Sequence, residues 1–168
     1  KPLYFSIMKE EFNRIEMILN ELLLLAKPQA KMFTGKNLID ILNKVIAVLE
    51  PQCNFHNVQI ICNWPKTEFM INCDENQLKQ VFINLIKNAI DSMPTGGKIM
   101  ISVKDDSYQN VLVEVRDEGV GIPPEKVEQL GQPFYSTKEK GTGLGLMVSY
   151  GIIENHKGTI TVTSSIGE

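Results

Sequence analysis

Few features of this 168-residue chain point to metal, disulfide or membrane chemistry. Its three cysteines, Cys53, Cys62 and Cys73, are odd in number and lack C-x-x-C spacing, which argues against a disulfide framework or a zinc site and fits a reducing, cytoplasmic setting. No uninterrupted apolar run exceeds that of Leu22 to Ala26, far short of the roughly 20 residues a spanning helix needs, and no signal-peptide pattern opens the chain. Long runs of one charge are also missing. The 17 basic and 20 acidic residues mix to a net charge of -3, so electrostatics favour neither nucleic acid nor an anionic membrane. What remains is a chain with 43% hydrophobic residues, enough for one good core and a small appendage. It opens at Lys1 without methionine and closes just past a strand-like run, so a longer parent is expected, with any membrane anchor in its absent parts.

The apolar residues Met8, Phe12, Ile15, Leu19, Leu22 and Ala26 fall at spacings of 4, 3, 4, 3 and 4, which predicts a helix with a heptad seam. Ile18 and Leu25 widen the seam into a stripe suited to a helical bundle, although packing on the following domain would also satisfy it. Lys27-Pro28 ends the helix, and a linker runs through Gly35. Residues 38 to 50 repeat at helical spacing up to Pro51, Val58 to Trp64 and Glu68 to Cys73 read as strands, and Asp74 is placed to cap a long helix reaching Met93. Beyond the turn Pro94-Thr95-Gly96-Gly97, Lys98 to Lys104 and Val111 to Arg116 read as a hairpin that delivers the chain to Asp117. A short helix is expected within 123 to 130, a polar loop from 131 to 142, a helix from Leu144 to Asn155 and a strand from Thr159 to Thr163. Alternating helices and strands with tight hairpins predict a two-layer α/β sandwich on a mixed sheet.

Three polar constellations occur in order. Asn84, Asn88 and Asp91 lie at i, i+4 and i+7 on one helical face, opposite Phe82, Leu85, Ile86 and Ile90. Asparagine is a mediocre helix former, so a stacked pair suggests another use. A carboxamide oxygen is a hard, neutral ligand for Mg²⁺ that already carries phosphate oxygens and waters, although such a face can also be simply solvated. Asp117-Glu118-Gly119-Val120-Gly121-Ile122-Pro123 follows a strand, where a carboxylate can accept from an exocyclic amine and glycines let backbone approach a ligand; an ordinary turn is the plainer reading. Gly141-Thr142-Gly143-Leu144-Gly145 opens a helix, a place where backbone N–H groups and the helix dipole favour an anion, or else a surface loop. It fits neither a Walker A loop nor a dinucleotide fingerprint.

Together these segments resemble the N box (Asn84 to Asp91), G1 box (Asp117 to Gly121), F box (around Phe134) and G2 box (Gly141 to Gly145) of sensor histidine kinases, over nearly the whole chain. The resemblance implies a Bergerat-type ATP-binding sandwich over residues 31 to 168. Residues 1 to 30 would be the second helix of a dimerisation and histidine-phosphotransfer hairpin. It implies ATP and Mg²⁺ as cofactors, with Asn88 on the metal, Asn84 supporting phosphates or metal, and Asp117 receiving the adenine amine. Gly119, Gly121, Gly141, Gly143 and Gly145 would permit close backbone approach. Ile122, Phe134, Thr137, Thr142 and Leu144 would complete the nucleotide contacts, while residues 131 to 142 form a lid whose Lys138 and Lys140 join Asn88 in catalysis. Many members carry lysine or arginine and then tyrosine where this chain has Asp91 and Ser92, which puts one phosphate contact in doubt and moves weight to those lid lysines. Helix 144 to 155 and the compact lid look like sporulation-type kinases of spore-forming bacteria.

Neither histidine suits the family's phosphoacceptor, which is commonly followed by an acidic residue: His56 precedes Asn57 and His156 precedes Lys157. His56 is expected in a loop and His156 as a cationic cap at a helix C-terminus. The expected activity is therefore transfer of the ATP γ-phosphoryl group to a histidine outside this chain, then to an aspartate of a response regulator, within a homodimer built through the hairpin. A Bergerat-fold ATPase of the chaperone or DNA-repair type is the runner-up, and such enzymes place glutamate where Asn84 stands. A non-catalytic nucleotide sensor is the third possibility.

Overall fold

A computed structural model describes residues 2–26, 32–106, 110–133, 135 and 143–167. The first element, α1 (Pro2–Ala26), is longer than its seam predicted. Met8, Phe12, Ile15 and Leu19 of that seam are all exposed, and so are Tyr4, Phe5, Ile7 and Leu23. The side chains of Ile18, Leu22, Leu25 and Ala26 lie outside the described set.

β1 (Thr34–Asn37) forms where the sequence predicts a linker running through Gly35. Its sequence Thr-Gly-Lys-Asn has no apolar alternation, and what makes it a strand is antiparallel pairing with β3 (Met70–Cys73), from Thr34 opposite Cys73 to Asn37 opposite Met70. Asn37 then caps α2 (Leu38–Phe55): its Oδ1 accepts from the N–H of Ile39 at 3.2 Å and from that of Phe69 at 3.3 Å. The helix passes through Pro51 instead of ending there. Proline removes one backbone donor on the exposed side, but Leu49 and Cys53 keep the inner face seated in the core, and burial outweighs the local preference.

The main sheet has the order β2-β4-β5. β2 (Val58–Asn63) runs parallel to β4 (Gly97–Asp105), and β4 pairs antiparallel with β5 (Val111–Asp117), giving the expected mixed sheet. Ile99, Ile101 and Val103 alternate onto one fully buried face of β4. On β5 the half-buried positions are Val111, Val113, Val115 and, in the same register, Asp117, so the period of two that buries the valines also turns the carboxylate inward. The expected strand from Thr159 to Thr163 is not formed: residues 158–165 carry no strand pairing, although half-buried and exposed positions still alternate through them.

α3 (Glu75–Asp91) is capped as expected by Asp74, whose Oδ1 accepts from the N–H groups of Asn76 at 3.1 Å and Gln77 at 3.2 Å. Its apolar face, with Leu78, Phe82, Ile86 and Ile90, meets Ile41, Leu42 and Val45 of α2 and Ile99 and Ile101 of β4 in one core. α4 (Pro124–Val127) is a single turn, and α5 (Gly145–Asn155) packs along α3. No helix among the described residues is long and apolar enough to cross a membrane.

Candidate nucleotide-binding site

α3, which carries Asn84, Asn88 and Asp91, lies against both β5, which ends at Asp117, and α5, which starts at Gly145. Asn84 is half-buried and faces α5. Its Nδ2 donates to the Gly145 carbonyl at 3.0 Å and to Ser149 Oγ at 3.3 Å, while its Oδ1 accepts from Gln80 Nε2 at 3.4 Å. Ser149 is fully buried and donates in turn to the Gly145 carbonyl at 3.0 Å. These bonds hold the first turn of α5 against the middle of α3, so the carboxamide hydrogens of Asn84 are spent on protein and only its oxygen side can serve a ligand. Asn88, one turn further along, is exposed, as is Asp91.

At the end of β5, Asp117 is half-buried. Its Oδ1 accepts from the backbone N–H of Gly119 at 2.9 Å and lies 2.8 Å from Ser92 Oγ. The loop that follows is tight. A Cβ on Gly119 would collide with Ser92 Oγ and come within 2.5 Å of Asp117 Oδ1. Gly121 has φ +73, and a Cβ there would strike the Ser165 carbonyl. Ile122 is anchored by its N–H to Ser164 Oγ at 2.8 Å. Glu118, next to Asp117, instead takes the N–H of Lys98 at 3.1 Å and ties the loop to the start of β4.

Gly143 has φ 70, and Leu144 is buried at the N-cap of α5, where it offers no side-chain oxygen to the helix amides. The start of α5 thus has the chemistry of an anion site, with helix-end N–H groups and the positive end of the dipole. Phe134, Thr137, Lys138, Lys140, Gly141 and Thr142 lie outside the described residues, as does most of the expected lid. Of the lid's flanks, Gly131 has φ +85 and sits 2.5 Å, measured from an added Cβ, from the ring of Tyr150 on α5.

His156 corrects an expectation. It does cap α5, but as a neutral ring: Nε2 accepts from the Asp74 N–H at 3.0 Å, so the proton resides on Nδ1, which meets the Ile152 carbonyl at 2.7 Å. The ring also stacks on Phe33 with centroids 4.6 Å apart. His56 caps the end of α2 against the edge of Phe55. Ser92, Ser149, Ser164 and Tyr150 are site-building residues that the sequence did not disclose. Of these, only Ser92 had a signal, as a departure from the family pattern.

The donor set suits a nucleotide. A carboxylate beside a glycine cradle with no room for a Cβ matches a flat base carrying an amine, and a helix start whose N-cap residue carries no side-chain oxygen matches phosphate. Among the described residues no group of three His, Cys, Asp or Glu side chains could hold a metal by itself. Asn88 offers a single neutral oxygen, which fits an octahedral Mg²⁺ that keeps most of its shell as phosphate oxygens and waters.

This combination of mixed sheet, glycine-lined carboxylate and asparagine-bearing helix is that of a known class. Residues 73–168 match the family described as histidine kinase-, DNA gyrase B- and HSP90-like ATPase, and the chain belongs to it. Within that family its similarity is to histidine kinases. It is 49% identical over 166 residues to sporulation kinase E of Bacillus subtilis (strain 168), covering 99% of this chain and 22% of that protein. It is 52% identical over 162 residues to sporulation kinase A of the same organism, covering 96% of this chain and 27% of that protein. The chain thus spans about a quarter of the length of these relatives. Among solved structures, histidine kinase ThkA in complex with response regulator protein TrrA superposes with a TM-score of 0.77 at 32% identity, over 92% of this chain and 44% of that one.

Proposed function

We propose that this chain is the ATP-binding catalytic part of a two-component histidine kinase. The observation that carries this reading is the convergence on α3 of Asn84 and Asn88, of Asp117 at the end of β5, and of the glycine-led start of α5. In this reading Asp117 accepts the adenine amine, and Gly119 and Gly121 let the base lie against backbone. Asn84 aligns α5 so that its first N–H groups meet the phosphates. Asn88 supplies one metal ligand, and Mg²⁺ when bound offsets charge on the phosphate oxygens. Lys138 and Lys140 add positive charge from the lid. The chain's task is positioning and charge neutralisation. The γ-phosphorus–oxygen bond to ADP breaks as a bond forms to an imidazole nitrogen of a histidine outside this chain; ADP leaves and the imidazole proton passes to solvent. A neutral imidazole has its own lone pair, so no strong base is required.

Residues 1 to 30 belong, in the same reading, to a dimerisation hairpin, which the exposed apolar seam of α1 supports. A response regulator is the proposed acceptor of the phosphoryl group, in keeping with the partner of ThkA. Calorimetric titration with Mg-ATP tests the site. Asp117→Asn should weaken binding by about 1.5 to 3 kcal/mol, the worth of a charged hydrogen bond. Asn88→Ala should remove the Mg²⁺ dependence of binding while circular dichroism stays unchanged, because Asn88 is exposed. Unaltered ATP affinity in both variants would take these residues out of the site.

A further inference from the structure

We infer that Ser92 is a positioning residue that sets the Asp117 carboxylate for adenine over guanine, an inference that rests on the adenine reading of Asp117 above. Ser92 caps the C-terminus of α3, and its Oγ lies 2.8 Å from Asp117 Oδ1 and 2.7 Å from the Ala89 carbonyl. The hydroxyl has one proton for two acceptors. A proton turned wholly to Ala89 would leave lone pairs of Oγ and a carboxylate oxygen facing each other at 2.8 Å, whereas donation to the carboxylate makes a charge-assisted bond. The hydroxyl therefore donates to Asp117.

The Gly119 N–H, 2.9 Å away, donates to the same Oδ1. Among the described residues both donors converge on that one oxygen, which fixes the plane of the carboxylate and leaves Oδ2 to the ligand. The backbone of Ser92 adds a second tie, since its carbonyl accepts from the Val120 N–H at 3.1 Å. A Cβ on Gly119 would collide with Ser92 Oγ and lie 2.5 Å from Ser92 Cβ, so only glycine fits at 119 beside this serine. A carboxylate held in one plane rewards the amine of adenine and opposes the carbonyl that guanine presents there. One free to turn discriminates less.

The test measures Kd for Mg-ATP and Mg-GTP with this chain, Ser92→Ala, Ser92→Thr and Asp117→Asn, with the thermal midpoint of each nucleotide-free protein. Ser92→Ala keeps the Val120 bond but loses the hydroxyl. ATP should bind about tenfold more weakly, within the range for one charged hydrogen bond, and the ATP-over-GTP preference should shrink by the same factor. Ser92→Thr, which restores a hydroxyl, should recover most of both. An unchanged preference in Ser92→Ala, or an equal loss for both nucleotides that threonine does not rescue, overturns the role of Ser92. If Asp117→Asn alone leaves ATP binding intact, the adenine reading fails and takes this inference with it. Loss in Asp117→Asn beside normal Ser92→Ala overturns only the inference.

Discussion

Glu75, the first residue of α3, gathers three lysines from three elements. Its Oε1 lies 2.8 Å from Lys44 Nζ on α2 and 2.7 Å from Lys79 Nζ one turn along α3, and its Oε2 lies 3.3 Å from Lys36 Nζ on β1. Hydrogen bonds from Lys44 and then Lys79 pull its pKa from 4.5 down to about 2. The same pairing raises that of Lys44. A depressed carboxylate stabilises the fold above its unfolded pKa and loses that contribution as pH falls toward the folded value. Glu75→Gln should therefore be less stable than the parent at neutral pH by about 1 kcal/mol, the upper end for exposed ion pairs. The gap should close as pH falls from 4.5 to about 2. Urea melts at several pH values check this, and a gap that persists unchanged at the acid end would show that the lysine cluster is not its source. Cys53 and Cys73 behave differently: both are buried, and burial pushes their thiols up, so they act as small apolar core residues.

α3 and α5 are clamped at two points. Asn84 holds the start of α5, and the Asp74 N–H holds its end through His156. The Asp74 side chain separately caps α3. Asp74→Ala should remove only the cap, since the backbone bond to His156 stays, and should lower stability by about 1 kcal/mol in denaturant melts. An unchanged midpoint would mean the cap bonds are made equally well by water. The contrast between cap and clamp marks what the sequence can disclose. Asp74 and the periods of α2, α3, β4 and β5 are local patterns, so they were legible. The clamp joins residues 82 positions apart and the Ser92–Asp117 contact joins residues 25 apart, and no spacing rule reports either. β1 was missed because pairing, not composition, makes it a strand, and Pro51 misled because core burial overrides a local stop. A helix end favours a cationic His156, but a backbone donor across the fold, the Asp74 N–H, decides its tautomer.

At the scale of the whole molecule, two surfaces remain to be joined: the proposed nucleotide-binding face of α3, β5 and α5, and the apolar seam of α1 from Met8 through Leu19, exposed along its described length. In the proposed function a hairpin partner covers that seam and brings an acceptor imidazole to the γ-phosphate, since His156 is hydrogen-bonded at both ring nitrogens and His56 caps α2. The most direct measurement is to incubate γ-labelled ATP and Mg²⁺ with this chain, and with a longer chain that adds the upstream helix, and then to follow label that survives alkali and is lost in acid, as a phosphoramidate is. The account predicts no such label on this chain and stable labelling of the longer one on a histidine of the added helix. Label on His56 or His156, or none on either protein, would contradict it.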